Sequence, residues 1–330
     1  MHNYLKVALV VSCLWPTLSC AEDNYGANPA AIEVIDQLVE EEGFSREELV
    51  AVMSDAHRQD FIIEAMNRPA EKTKAWFEYR DIFLNDKRIN GGVTFYQEHR
   101  DTLLRAQQEL GVPPEIIVAI IGVETYYGRI AGSYRVIDAL TTLAFDYPRR
   151  SEFFTKELKH YLILTRDQAM DPLVPTGSYA GAMGYGQFMP SSYRSYAIDF
   201  DGDEKVDIWT NPVDAIGSVA NYFKAHGWTE GGQVVLAAQP PAEVPENMLS
   251  RGRKLTPQFT VGEFTAAGFT HAGEVDPGDK AIGIEFEQRD GLEYWLGLHN
   301  FYVITRYNHS AMYAMAVYQL SQEIAAEVAE

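Results

Sequence analysis

From Ile116 to Val123 the chain places isoleucine, valine, alanine and glycine on every side of a helix, and a single carboxylate, Glu124, follows at its end. A helix that is apolar all round has no face to offer water, so any fold available to this chain must wrap other elements around it. Val112-Pro113-Pro114-Glu115 marks where the helix begins. Proline costs least in a first helical turn, and an acid there suits the positive end of the helix dipole. Tyr126-Tyr127-Gly128 closes the segment behind Glu124. A carboxyl group in that position is stripped of water, which raises its pKa and lets it keep a proton near neutrality. A protonated acid among aromatic rings is what protonation of a glycosidic oxygen requires. On this segment alone, an ion pair with an arginine or a backbone cap explains Glu124 equally well.

With 330 residues, 46% of them hydrophobic, the chain can form one large domain or two to three small ones. Its 47 acids and 27 bases give a net charge of −20. That excludes the basic footprint a nucleic acid demands, while leaving room for local arginine or lysine sites for an anionic ligand. Residues 1–21 read as an export signal: Lys6, an apolar stretch from Val7 to Trp15, then Ser19-Cys20-Ala21. The stretch is too short to span a bilayer, and no later run approaches the ~20 apolar residues a spanning helix needs. Both cysteines, Cys13 and Cys20, fall inside this segment. Cleavage after Ala21 leaves no cysteine for a disulfide framework or a thiol catalyst. Cleavage before Cys20 leaves the N-terminal cysteine of a lipoprotein, for which Thr17-Leu18-Ser19-Cys20 is a partial signal. Two fates stay open, a soluble periplasmic protein or one anchored to the outer membrane by a lipid on Cys20.

Helical spacing recurs in Ile32 to Val39, Glu47 to Met53 and Gly92 to Leu110, which suggests an N-terminal helical domain over 22–110. Further helices are expected at Ser151–Thr165 and Pro212–His226, within a core over 111–228. The character changes over 229–295, where Gln233-Val234-Val235-Leu236 and Ala281 to Phe286 read as short strands between turn residues. A segment over 296–330 returns to helix, with Met312, Ala316, Val317 and Leu320 at helical spacing. The fold class is mainly α (α+β), with a small β-containing subdomain.

A second dense segment, Gly177-Ser178-Tyr179-Ala180-Gly181-Ala182-Met183-Gly184-Tyr185-Gly186-Gln187-Phe188-Met189-Pro190, is rich in glycine and alanine and allows close backbone approach. It lacks the lysine and hydroxyl ending of a phosphate loop, so a nucleotide site is not indicated. On the glycines alone, tight packing accounts for it. Taken with Gly122-Val123-Glu124-Thr125, Ala220-Asn221-Tyr222-Phe223 and Ile304-Thr305-Arg306-Tyr307-Asn308, in that order, the chain resembles the lytic murein transglycosylase B family, glycoside hydrolase family 103. The likeness runs from about Tyr79 to Gln319 and is most specific from Phe188 to Trp228.

The resemblance implies a lysozyme-like helical core in which Glu124 alone acts first as acid and then as base on the β-1,4 bond between N-acetylmuramic acid and N-acetylglucosamine. The muramoyl C6 hydroxyl then attacks in place of water and leaves a 1,6-anhydro end. An internal nucleophile exploits proximity and needs no second carboxylate, although Asp138, Asp146 and Glu152 stay open as partners on the sequence. The same resemblance implies that Ser178 and Gln187 bond N-acetyl groups and that Phe188, Tyr222, Tyr307 and Tyr313 wall the groove, with Asn308 as polar support and Tyr79 opposite. Arg149 and Arg150 would engage the lactyl and peptide carboxylates, a task suited to a bidentate fork. Phe153 stands where relatives can carry tyrosine. The implied partners are peptidoglycan strands and other cell-wall enzymes. A hydrolytic muramidase or a non-catalytic murein-binding scaffold would share the groove.

Asp199-Phe200-Asp201-Gly202-Asp203-Glu204-Lys205-Val206-Asp207 has the start of a calcium loop. Asp199, Asp201 and Asp203 would give side-chain oxygens and Lys205 its carbonyl. Glu204 replaces the usual turn glycine and Thr210 stands where a bidentate glutamate belongs. By the resemblance, Asp214 closes the shell; Asp207 is a weaker candidate, and a solvated acidic turn is the alternative. Calcium here would be structural, and catalysis needs no cofactor.

Overall fold

In the computed structural model, which describes residues 24–68, 74–250 and 252–329, the apolar segment is a helix, Pro114–Thr125. The export signal, with Cys13, Cys20 and both processing sites, lies outside the described residues. Proline fills the first helical position and Glu115 the first turn, as the sequence predicts. Every side chain from Ile116 to Ile121 is buried, because helices Asp86–Glu98, Arg100–Leu110, Pro212–Ala225 and Ala311–Ala329 surround this central one, with Trp76–Phe83 packed on the last of them. Full burial of an isoleucine stabilises by roughly 1.5–3 kcal/mol, so these few residues set where the core must form.

A second core gathers helices Pro29–Glu42, Arg46–Asp55 and Asp60–Asn67 against Val136–Phe145 and Ser151–Asp167. The described residues between 24 and 110 therefore serve two cores, the first three helices one and the helices from Trp76 onward the other. The predicted β region is a five-stranded antiparallel sheet in the order Phe259–Thr260, Lys280–Gln288, Gly291–Gly297, Val235–Gln239, Thr270–His271. Ile282, Ile284 and Phe286 alternate onto one face and join the central core, where Phe286 stacks on Trp76 at 4.6 Å. The opposite face buries Ala281 and Leu296 with Phe264 and Phe269. Gly291–Gly297 is a strand the sequence reading did not anticipate; a two-residue turn at Arg289-Asp290 pairs it with its predecessor.

Among the described residues there are fourteen α-helices, and none is long and apolar enough to cross a membrane. The mainly α (α+β) expectation holds.

Candidate active site

The central helix ends in strained backbone. Tyr126 and Tyr127, with φ of 53° and 62°, occupy the left-handed region beside Gly128 at 81°. Two contacts hold this turn. Tyr127 donates its hydroxyl to the Arg88 carbonyl at 2.7 Å, and Arg88 donates to the Gly122 carbonyl near the helix end. The Tyr127 ring lies in a slot floored by Gly92 and Gly122, where an added Cβ would come within 2.7 and 2.6 Å of its oxygen. The turn leaves Glu124 half-buried, facing the C-terminal helix.

A tight hairpin docks against this helix end. Met183 and Phe188 exchange two backbone hydrogen bonds of 2.9 Å, leaving Gly184-Tyr185-Gly186-Gln187 as the loop. Its carbonyls point at the site. The Thr125 hydroxyl lies 2.9 Å from the Tyr185 carbonyl and accepts from the Gly128 N–H at 3.0 Å. Tyr307 donates to the Gly186 carbonyl at 2.6 Å. Gln187 spends its amide nitrogen on the carbonyls of Ala131 and Gly184, 3.0 Å each, while its side-chain oxygen accepts nothing from the described residues. The glycines thus serve close packing, and that packing builds the site.

Tyr313 donates to the Glu124 carboxylate at 2.5 Å. Burial pushes the Glu124 carboxyl up to about 7, against the lowering effect of that bond. Tyr313 and Tyr307 are themselves driven well above the ordinary tyrosine range, by burial first and then by the charge of Glu124, so both remain neutral donors. Phe188, Tyr222 and Tyr307 form one aromatic cluster, with centroids 4.7 to 6.0 Å apart, and Tyr222 donates to the Arg306 carbonyl at 2.7 Å. Ser178 accepts from the N–H groups of Ala180 and Ala182 at 3.3 and 3.1 Å, turning the chain into the hairpin.

Other expected site residues stand less directly on Glu124. Tyr79 is 4% exposed and packs on Trp76 and Phe83. Asn308 is exposed directly after the helix His299–Tyr307. Arg149 and Arg150 are exposed in the turn Pro148–Arg150 of the second core, and the Arg150 guanidinium lies 4.2 Å over the Phe153 ring. Arg88 and Thr125 escaped the sequence reading. A hydroxyl at the end of an all-apolar helix is the signal that marks Thr125; nothing in the local sequence marks Arg88.

The three acids left open as partners are committed elsewhere. Asp138 accepts from Arg135 and the His57 N–H, Asp146 from Tyr25 at 2.6 Å and from Arg58, and Glu152 pairs with Lys156 on an exposed helix face.

In the acidic loop, one oxygen each of Asp199, Asp201 and Asp214 lie within 4.8 Å of one another. Asp214 is fully buried, and accepts from the Phe200 and Asp207 N–H groups at 2.8 Å each. Asp199 accepts from Gly202, Asp203 and Glu204 and so curls the loop. Three converging carboxylates, one with no water contact and none ion-paired among the described residues, are a donor set that fits a hard cation. Glu204 takes φ of 70°, the conformation for which calcium loops usually use glycine. Asp207 instead caps the next turn, accepting from the Trp209 and Thr210 N–H groups.

The transglycosylase SLT domain family matches residues 27–322 of the chain. The chain is 47% identical over 311 residues to membrane-bound lytic murein transglycosylase B of Escherichia coli K12, an overlap of 92% of this chain and 84% of that protein. Its fold superposes on the soluble lytic transglycosylase SltB1 of Pseudomonas aeruginosa with a TM-score of 0.88 at 52% identity, over 92% of this chain and 100% of that one. The Escherichia coli lytic transglycosylase Slt35 in complex with calcium gives a TM-score of 0.84 at 46% identity, over 92% and 95% of the two chains.

Proposed function

The chain belongs to the transglycosylase SLT domain family, and from that premise we propose that it cleaves peptidoglycan as a lytic transglycosylase with Glu124 as its single acid and base. Its mainly α fold, built on a lysozyme-like helical core, is that of the family. The observation that carries the mechanism is a half-buried carboxyl, raised to about 7, that accepts a hydrogen bond from the neutral Tyr313 hydroxyl at 2.5 Å. The Glu124 proton passes to the glycosidic oxygen as the bond from that oxygen to the muramoyl C1 breaks. The carboxylate left behind takes the proton of the muramoyl C6 hydroxyl as that oxygen closes on C1. The product carries a 1,6-anhydro end and Glu124 regains its proton. No water is consumed, so no second carboxylate is required.

The groove residues have matching tasks. The free oxygen of Gln187 and the Ser178 turn meet N-acetyl groups, Phe188, Tyr222, Tyr307 and Tyr313 supply flat apolar walls, and Tyr79 supports them from the far side. Asn308, Arg149 and Arg150 meet the polar and anionic parts of the strand. The protein acts outside the cytoplasmic membrane, released after Ala21 or held by a lipid on Cys20, among other cell-wall enzymes. Purified sacculi digested by the enzyme are expected to yield muropeptides with 1,6-anhydro ends. Reducing ends alone would make it a hydrolytic muramidase, and no cleavage would leave a binding scaffold.

Asp199, Asp201 and Asp214, joined by Asp203 and the Lys205 carbonyl, are proposed to hold a structural calcium ion between helices Pro190–Tyr196 and Pro212–Ala225. A cation bound only by the folded state stabilises it, by about 3 kcal/mol at a hundredfold excess over the dissociation constant. Chelation is therefore expected to lower the melting temperature by several degrees, with calcium restoring it, and Asp214→Asn is expected to abolish the response. A melting temperature indifferent to chelator and calcium rejects the site.

A further inference from the structure

The left-handed pair Tyr126-Tyr127 follows Glu124 closely, and backbone of that kind is costly for any residue with a side chain. Such strain persists only where the surroundings over-determine it. Here they do so through Lys87 and Arg88, in the first turn of the helix Asp86–Glu98. Tyr126 donates its hydroxyl to the Lys87 carbonyl at 3.2 Å, and Tyr127 donates to the Arg88 carbonyl at 2.7 Å. The Arg88 guanidinium donates to the Gly122 carbonyl, which also accepts the Tyr126 N–H at 3.1 Å. It lies 4.9 Å from the centre of the Tyr126 ring and 5.1 Å from that of Phe83. Arg88 therefore touches the chain on both sides of Glu124, at Gly122 before it and at the tyrosine pair after it. The side chain is partly buried; burial lowers its pKa, and no carboxylate among the described residues offsets that. A cation without a counter-ion is an expensive way to fill space between two rings, where an apolar chain would pack at less cost. What an apolar chain cannot do is donate to a carbonyl at the negative end of the helix dipole.

Resting on the lytic transglycosylase reading above, we infer that Arg88 is a positioning residue for Glu124, acting through the Gly122 carbonyl and the Tyr126-Tyr127 turn without touching the sugar. One carboxyl has to serve two oxygens in succession, the glycosidic oxygen and the C6 hydroxyl, and must lie within hydrogen-bond reach of each. The last turn of a helix has carbonyls without helical partners and frays unless something holds them. A misplacement of ~1 Å at a reacting group can cost about a hundredfold in rate. Tyr313 holds the carboxyl itself from the C-terminal helix, while Arg88 holds the backbone that carries it. The helix Asp86–Glu98 packs on both Pro114–Thr125 and Ala311–Ala329, so the element that presents Arg88 also spaces Glu124 from Tyr313.

The test measures kcat and KM on soluble murein strands, at a temperature where circular dichroism shows each variant folded. Arg88→Met keeps the length of the side chain and its packing on the two rings but removes the donor to Gly122. Its kcat is expected to fall by about 30–100-fold while KM stays within about twofold. Arg88→Lys keeps a charged donor without the planar fork and is expected to recover part of that loss. Tyr127→Phe removes only the hydroxyl that ends on the Arg88 carbonyl, lowers kcat severalfold in the same way, and carries the test if Arg88→Met does not fold. A lower melting temperature with kcat unchanged would make Arg88 a support for stability alone and overturn the inference. A loss that falls on KM would overturn it too, by placing Arg88 in substrate binding. Failure of the lytic transglycosylase reading shows differently, as wild-type digests without 1,6-anhydro ends.

Discussion

Glu124→Gln is expected to lose sacculus-degrading activity by a factor on the order of 10³ or more while folding normally. Gln matches the carboxyl in shape and still accepts the Tyr313 hydroxyl bond, so the 2.5 Å contact to the C-terminal helix survives. What disappears is the proton for the leaving oxygen and the base for the C6 hydroxyl. The wild-type enzyme, which starts each turnover protonated, is expected to lose activity as pH rises through about 7. Activity retained in the variant would remove Glu124 from the chemistry.

The same substitution has a stability signature with a defined sign. The Glu124 carboxyl titrates near 4.5 in an unfolded chain and near 7 in the folded one. Below the lower value both states hold the proton and the wild type keeps the full benefit of its raised pKa. As pH climbs, the unfolded state releases the proton while the folded state keeps it, and that benefit is lost by the time pH passes the folded value. The loss amounts to about 3 kcal/mol. Gln does not titrate, so its stability relative to wild type should rise between pH 4.5 and 7 and then level off, a gain of several degrees in melting temperature. A difference independent of pH would mean that the carboxyl is not raised.

The buried helix that carries Glu124 was legible in sequence because its cause is local, an all-apolar run. On that segment alone an ion pair or a cap explained the carboxyl equally well, and its role as the acid came from the family resemblance. The helix start at Pro114, the strands near Val235 and Ile284, and the long C-terminal helix were legible for the same reason, since each rests on spacing within one segment. The commitment of Asp146 was not, because its partner Tyr25 lies 121 residues away; Asp138 has Arg135 three residues before it as well as the distant His57 N–H, 81 residues away. Arg88 could not be read as the clamp on the helix that carries Glu124, for its acceptor on Gly122 lies 34 residues away. Gly291–Gly297 hid as a strand because its residues alternate poorly, and only pairing with Lys280–Gln288 gives it a register. The glycine-rich segment invited two explanations, packing or ligand approach, and the structure makes the first the means of building the candidate site.

That coupling predicts a large effect at a residue assigned no contact with the sugar. At Gly184 φ is +66°, and an added Cβ would stand 2.3 Å from the Ile208 carbonyl oxygen and 2.8 Å from its carbon. Both are backbone atoms, which cannot rotate aside, and the same carbonyl accepts the Tyr185 N–H at 2.9 Å. Gly184→Ala must therefore shift the hairpin loop or break that bond, at about 3 kcal/mol or more, seen as a fall in melting temperature of roughly 5–10 °C. Gly231, with φ of +68° and nothing within 4 Å of an added Cβ, separates the two causes. Gly231→Ala carries the left-handed penalty alone, about 1 kcal/mol. The excess in Gly184→Ala measures the clash. The displaced loop carries the Tyr185 and Gly186 carbonyls that hold Thr125 and Tyr307. At a temperature where both variants are fully folded, Gly184→Ala should still lose activity, and Gly231→Ala should not. Equal melting temperatures for the two would show that the loop yields to a methyl group, and the rigid hairpin could not then be what sets the tyrosine wall against Glu124.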